Sequence, residues 1–524
     1  MTESTVTAGK ALSRRVFVGA SVAAAAALGL GIGAGRTNQA QADEGMTMTV
    51  AWTSNRGDYS LDPTNNYMGW QGSYLGIYEQ LYRIDGNFEA QPMLAESVTT
   101  DDGGLTWTLN IREGVTFQNG KALDAAAVQA SLERAIANNT RCDNALGVQS
   151  MSADGQVLTV TLKQPSPFFV NELCEPVTSV IDVESGTEDD MPVGTGPFAM
   201  ASVDASGNVE LDAYEGYWQG APKVSHVTAL YLTDDTSKVN ALQSGEVQAL
   251  MNVGDDQLAL FQDNPDFTVH QTNQARSHML YFNMNSPVTA DERVRRALCK
   301  CVNRDAYVDA LYYGAAEVAP GVFPQESGWS EGIEQEGYDP EGARTLLEEA
   351  GYTDEDGDGF LEKDGQPLSI TLVTYEANAA LPKVCEVLAS ELAEVGVKAT
   401  VEVAEQIATR LESDGWEVGT MAYSTLPTGS PITYLSAVMS SEGSANYGKF
   451  ASDEVDDLLS QLRQATDTDE QHQIVKQIQE IALGDCSYFY MVHALVNDVA
   501  ASNVENLAMQ GQYDWLNNEM ELAE

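Results

Sequence analysis

The chain has 524 residues, 43% of them apolar, so it is long enough to bury more than one core and too apolar for a disordered polyelectrolyte. Its 78 acidic residues outnumber 27 basic ones, and the formal charge of -51 repels phosphate backbones and anionic lipid over most of the surface. Nucleic acid is excluded as a partner on that ground, and the acidity reads as a solvated surface.

Ser13-Arg14-Arg15-Val16-Phe17-Val18 comes first, followed by an Ala- and Gly-rich apolar run to Ile32 and then Ala40-Gln41-Ala42, an A-x-A cleavage pattern. This resembles a twin-arginine export signal over residues 1–42, with the mature chain beginning at Asp43. The run is short and poor in Leu and Phe for a membrane span, and no cysteine follows it to carry a lipid. The expected location is outside the cytoplasmic membrane, periplasmic or at the cell surface and soluble after cleavage, with retention of the run as an anchor the alternative.

Leu105, Trp107, Leu109 and Ile111 alternate with polar residues, as do Leu158, Val160 and Leu162, which predicts two half-buried strands. Between them Asp124 caps a predicted helix with Val128, Leu132, Ala135 and Ile136 on one face. The stretch PVGTGPFAM, Pro192 to Met200, holds the pair Gly194-Thr195-Gly196. A dinucleotide loop needs a third glycine in register and a helix behind it. Pro197 and the strand-like, aromatic NVELDAYEGYWQG follow instead, so these glycines turn the chain.

Asp291 to Tyr313 reads as one long helix stopped by Gly314, and Asp339-Pro340 to Ala350 as another stopped by Gly351. Gly328-Trp329-Ser330-Glu331-Gly332 matches a hydrolase nucleophile elbow by letter, with His472 or His493 as the base. Its flanks GVFPQE and IEQEGYDP lack the strand and helix an elbow needs, so no catalytic residue is assigned. In DEDGDGFLEKDG, Asp354, Asp356, Asp358 and Gly359 fit the start of a calcium loop, but Gly365 stands where its bidentate Glu belongs and Glu362 substitutes only in part. A solvated turn is expected there, a structural calcium on Asp354, Asp356 and Asp358 is the alternative, and no cofactor is required. The six cysteines are scattered without a C-x-x-C pair and read as buried thiols, Cys142 with Cys174 being the one pairing considered.

PVGTGPF, YEGYWQGAPKVSHV and VNALQSGEVQAL together resemble the signature of the extracytoplasmic solute-binding proteins of the peptide, nickel and opine class of ABC importers, solute-binding family 5. PMLAESVTTDDGGLTWTLNIREGVTFQNGKALDAAAVQASLERA, YFNMNSPVTADERVRRALCKCVNRDAYVDALYYG and YDPEGARTLLEEAGY extend the likeness, in order, over almost the whole mature chain. The resemblance implies an α/β, two-lobed periplasmic-binding-protein fold of the second type, with an extra small domain in the first lobe and the ligand cleft between lobes. Lobe I would span 43–274 with the small domain at about 85–190, lobe II 275–488, and 489–524 would return to lobe I. The crossings would fall near Gln274 to Leu280 and Tyr488 to Ala494. The implied partners are a small-molecule solute and the permease and ATPase subunits of an importer, with the binding protein a monomer.

For the ligand, peptide-binding relatives hold a free amine on an aspartate, whose place is taken here by Ser430 in Leu426-Pro427-Thr428-Gly429-Ser430-Pro431. In the nickel-binding branch aromatic residues and arginines grip a chelator. Trp52 and Arg141 match two such positions, whereas Val177, Thr425, Gly429 and Gly443 depart from an arginine, a tryptophan, a tyrosine and a histidine. The expected ligand residues are Arg141, Trp52, Trp70, Gln71, Thr425, Thr428 and Ser430, with Arg141 gripping a ligand carboxylate. The solute stays open between peptides, opines, organic acids and metal chelates; a nickel-chelate-specific protein and a sensor or adhesion protein on the same fold are the alternatives. Replacing Arg14 and Arg15 with Lys tests the export reading: the double variant should stay inside the cell by fractionation, since the receptor reads the arginine pair rather than charge.

Overall fold

The structure is a computed structural model that describes residues 45–53, 60–65, 68–185, 191–507 and 515–523. The export-signal reading of residues 1–42 lies outside the described residues. Apolar TMTVAW forms strand β1, Thr47–Trp52, and a short helix α1, Gly69–Tyr74, follows it.

A separate antiparallel sheet comes next, with β2 Ala95–Thr99, β3 Thr106–Ile111, β4 Val148–Asp154 and β5 Val157–Leu162 in the order β2-β3-β5-β4. The period-two pattern acts as expected: Trp107, Leu109, Ile111, Leu158, Val160 and Leu162 all point into one core. Helix α2, Ala125–Asn138, covers that face with Val128, Leu132 and Ala135 buried. The Asp124 side chain caps it by accepting from Ala127 N at 2.8 Å. This sheet falls inside the segment that the resemblance gives to a small inserted domain.

The large sheet takes its remaining strands from β6 Phe198–Val203, β7 Val209–Ala213, β8 His226–Tyr231, β9 Ala249–Leu250, β10 Phe267–Phe282, β11 Ala316–Val318, β12 Ser369–Thr374, β13 Lys398–Val403, β14 Val418–Ser424 and β15 Tyr488–Ala501. Its order is β13-β12-β14-β10-β15-β9-β1-β8-β7-β6, with β11 against β15. Two parallel groups sit in this order, β1 with β8 and β9, and β12 with β13 and β14. The antiparallel ribbon of β10 and β15 joins them. Phe267 to Asn273 pairs with Leu495 to Ala501, whereas Arg276 to Phe282 lies between β14 and the first half of β15. The ladder slips between Asn273 and Arg276, where Ala275 takes a left-handed φ of 53°.

The signature glycines turn the chain by close approach rather than by unusual dihedrals. A Cβ on Gly194 would lie 2.2 Å from Ile77 O, and one on Gly196 2.3 Å from Gly76 O. Between them the Thr195 hydroxyl donates at 2.7 Å to Glu79, a buried carboxylate that also accepts from Tyr217 Oη at 2.8 Å and Trp218 Nε1 at 3.1 Å. PVGTGPF and YEGYWQG therefore meet on one buried acid.

One sequence expectation needs correction, and the reading of the cysteines holds. The stretch from Asp291 is two helices, Glu292–Lys300 and Arg304–Ala310, because the Asn303 side chain accepts from Ala306 N at 3.2 Å and starts a new helix where a continuous one would run on. Cys142 and Cys174 are free buried thiols, as are the other four cysteines. Gly196→Ala should lower stability by about 1–3 kcal/mol, the scale of an overpacked core contact, whereas Gly155→Ala, with open space around its Cβ but a positive φ of 59°, should cost less. Thermal melting of the two variants compares them.

Candidate functional site

Four of the expected ligand residues come together where the small-domain side of the chain meets the start of a late helix. Helix α3, Thr140–Leu146, is capped by Asn139, whose side chain accepts from Arg141 N and Cys142 N. The Arg141 guanidinium pairs with Glu175, and its Cζ sits 5.2 Å from the centre of the Trp70 ring on α1. Glu175 is buried and Arg141 is about a third exposed, so the pair lies at the edge of solvent.

Facing this pair is the segment that enters helix α5, Pro431–Val438, with Ser430 at its N-cap position. Asn171, on the short helix α4, Phe169–Glu172, donates to the Thr428 carbonyl at 3.0 Å. Thr433 donates to Glu172 at 3.3 Å. Gly429 has a φ of 74°, and a Cβ there would stand 2.2 Å from Phe88 O, so the position where the nickel branch carries a tyrosine has no room for a side chain. Val177 is also buried, which leaves no second arginine here.

Glu172 is the chemically distinctive group of this face. Burial pushes its carboxyl up to about 7, and Thr433, Ser430 and Arg141 pull it only part of the way back. Glu172 and Glu175 were not foreseen from the sequence. Their signal was two acids inside the apolar run PFFVNELCEPV, where acids persist only with a partner or a function.

The other expected ligand residues divide. Gln71 stands beside Trp70 on α1, half-buried, with Oε1 lacking a hydrogen-bond partner among the described residues. Trp52 corrects the expectation of an open aromatic face: it has no exposed surface and packs in the core edge-on to Tyr231, ring centres 5.0 Å apart, because β1 is an interior strand. Thr425, just past β14, is likewise turned inward onto the crossing ribbon, its buried hydroxyl donating to Ala275 O at 3.2 Å.

In the acidic turn, Asp354, Asp356 and Glu362 bring one carboxylate oxygen each within 4.8 Å of one another. Asp358 corrects the expected set: its Oδ2 faces Lys398 Nζ at 3.7 Å, and Glu362, on the strand that closes the turn, takes its place. Ser330 of the elbow-like stretch is buried, donates to Gln479 Oε1 at 2.8 Å and accepts from Phe323 N at 3.0 Å. Neither histidine bonds to it; His472 stacks on Trp329 and His493 Nδ1 bonds with Ser277 Oγ at 2.8 Å.

The large sheet thus holds two groups of parallel strands joined by one antiparallel ribbon. Residues 89–446 match the profile of the bacterial extracellular solute-binding proteins, family 5 (middle region), and the chain belongs to that family. It is a solute-binding protein of the ABC importer class. The glutathione-binding protein GsiB of Escherichia coli K12 is 30% identical over 470 residues, covering 86% of this chain and 89% of that one. The crystal structure of a nickel ABC transporter protein from Bacillus halodurans is 32% identical, superposes with a TM-score of 0.81 and covers 91% of this chain and 100% of its own. The Staphylococcus aureus NikA structure with Ni(L-His)2 shares the fold at a TM-score of 0.73 and 24% identity, over 91% of this chain and 100% of that one. Among the described residues no helix is long and apolar enough to cross a membrane.

Because folding raises the Glu172 pKa from 4.5 to about 7, the stability tied to its protonated form is complete below 4.5 and is lost as pH rises through about 7. Glu172→Gln should therefore melt at a higher temperature than wild type above about pH 7 and converge with it near 4.5. A melting difference that stays constant across this range would remove Glu172 as a titrating group.

Proposed function

We propose that the chain captures a small solute carrying both a carboxylate and an ammonium or a chelated metal, peptide-like, opine-like or metal-chelate, and hands it to a membrane permease powered by an ATPase subunit. The observation that carries this reading is the opposed pair of charges at the cleft edge, Arg141 on Glu175 over the Trp70 ring, with Glu172 beside them. A guanidinium at the edge of solvent suits a carboxylate, and a nearby acid takes a cation, so a zwitterion suits the face better than a simple anion. Glutathione, for which one relative is named, and Ni(L-His)2, with which another is crystallised, carry charges of both kinds.

The lobes of this reading are 43–274 and 275–488, with 489–524 returning to the first and a small domain at about 85–190 inserted in it. The chain works as a monomer, is exported through the twin-arginine signal of residues 1–42, and acts without catalysis outside the membrane. No cofactor is needed for capture; a calcium ion at Asp354, Asp356 and Glu362 would be structural.

Calorimetry with glutathione and with a Ni(II) L-histidine chelate tests the site. Arg141→Ala should weaken binding by about 1.5–3 kcal/mol, the scale of a charge-assisted hydrogen bond. It should also lower the melting temperature, since it leaves buried Glu175 uncompensated. Adding Glu175→Gln should restore melting without restoring affinity. Full affinity in the double variant would make the pair purely structural.

A further inference from the structure

We propose that Arg276, on the crossing strand, is a carboxylate anchor for the bound solute, which makes the solute one with a carboxylate separate from any group held at Arg141. The inference rests on the cleft reading above and adds a residue that neither sequence pattern nor motif singled out.

Arg276 sits in the middle of β10, opposite Ser424 of β14 and Ala494 of β15, just past the slip in the ladder. Left-handed Ala275 makes that slip, so the arginine leaves the regular pleat at the point where the sheet changes from one parallel group to the other. In open α/β sheets ligands bind outside the carboxyl ends of parallel strands at such a switch in strand order. Both parallel groups send a tyrosine here. Tyr74, from the helix that follows β1, accepts from Gln274 Nε2 at 3.2 Å, two residues before Arg276. Tyr375, directly after β12, accepts from Ala422 N at 3.2 Å, two residues from the register partner of Arg276 on β14. The guanidinium is close enough to bias both phenols, although burial keeps Tyr74 neutral, with its pKa pushed up to about 12.

Charge accounting singles the residue out. Arg276 is exposed, and among the described residues it is the one arginine whose guanidinium makes no hydrogen bond, ion pair or ring contact. Arg134, Arg293, Arg296, Arg344 and Arg410 hold carboxylates. Arg295 and Arg304 donate to backbone carbonyls. Arg112, Arg304 and Arg463 also lack a carboxylate, but each donates to a carbonyl or a hydroxyl. With 78 acidic residues against 27 basic ones, a guanidinium with none of these contacts is the exception. The nearby buried acid Asp498 does not fill the role, because its Oδ1 accepts from Asn252 N at 2.8 Å. Arg141 already carries Glu175. A solute carboxylate between the two tyrosines thus meets an uncompensated cation and two neutral hydroxyls, a set suited to paired, charge-assisted hydrogen bonds.

The test uses the exported chain with three probes that carry free carboxylates: glutathione, the Ni(II) bis(L-histidine) chelate and an unblocked tetrapeptide. At least one should bind the wild type by calorimetry. Arg276→Gln should weaken that probe roughly 10- to 100-fold, the span of a charged hydrogen bond, and Arg276→Lys should weaken it less. Melting of the solute-free variants should match wild type, since the side chain has no protein partner to lose. The carboxyl-amidated or esterified form of the same probe should bind wild type and Arg276→Gln alike, and if Arg276→Gln melts early the free-against-blocked comparison on Arg141→Ala, which lacks the other carboxylate-binding guanidinium, decides the matter. Equal affinity of wild type and Arg276→Gln for the free probe overturns the role of Arg276 while leaving the cleft reading intact; equal affinity of wild type for the free and blocked probes overturns both, since Arg141 is also assigned a carboxylate. Failure of all three probes to bind wild type overturns the cleft reading itself, and the inference with it.

Discussion

The ribbon of β10 and β15 is the constraint on which the rest of the molecule depends. Every connection between the group around β1 and the group around β12 in the sheet runs through it, and its pairing changes partners halfway along. A strand pair of this length holds both groups in register, and irregularities in its ladder interrupt that pairing. The slip at Asn273 to Arg276, the second slip at His278 to Met279 and left-handed Ala275 provide the break. The fully buried His278 and His493 on either side stay neutral, burial having pushed both pKa values down to about 3. Their neighbours Tyr312, Asn378 and Ser277 satisfy one or both ring nitrogens, so the ribbon is tied by neutral hydrogen bonds that do not titrate near pH 7.

Buried acids in this protein fall into two kinds, and the difference follows from their donors. Glu79 has a hydroxyl, a phenol and an indole N–H directed at it, and Arg112 stacks on that indole with its Cζ 4.5 Å from the ring centre. It ties the α1 region to the stretch before β8 as a permanent joint. Glu172 has only the hydroxyls of Thr433 and Ser430 and a neighbouring cation that is already engaged with Glu175. Desolvation then dominates, and the group titrates near neutrality. A joint with saturated donors holds one geometry, whereas an undersaturated acid between two parts of the chain responds to pH and to a cationic ligand group.

The acidity of the surface fits this division of labour. Most basic side chains are paired with carboxylates, so cationic character survives only where geometry keeps acids away. A negative field over the rest of the molecule disfavours anions everywhere except at such points, which sharpens the contrast between the cleft and the surface for a solute of mixed charge.

Much of the architecture was legible in the residues. The alternation in Thr106–Ile111 and Val157–Leu162, the Asp124 cap and the turning role of Gly194 and Gly196 all follow from local periodicity and sterics, and they hold in the fold. The break at Asn303 was readable in principle, as a capping residue inside an apolar helical pattern, but the continuing periodicity masked it. What local sequence could not decide was direction and company. Whether Trp52 faces ligand or core depends on β1 being an interior strand of the large sheet, a fact set by residues far along the chain. That Arg141 holds Glu175, that Glu172 meets Thr433 across 261 positions of sequence, and that Arg276 holds nothing are likewise products of which surfaces the ribbon brings together. The sequence by itself determined the elements, their caps and the family signature, because these depend on neighbours within a few residues; the tertiary structure alone decided the charge partners, because Coulomb and hydrogen-bond energies depend on distance in space and not on distance along the chain.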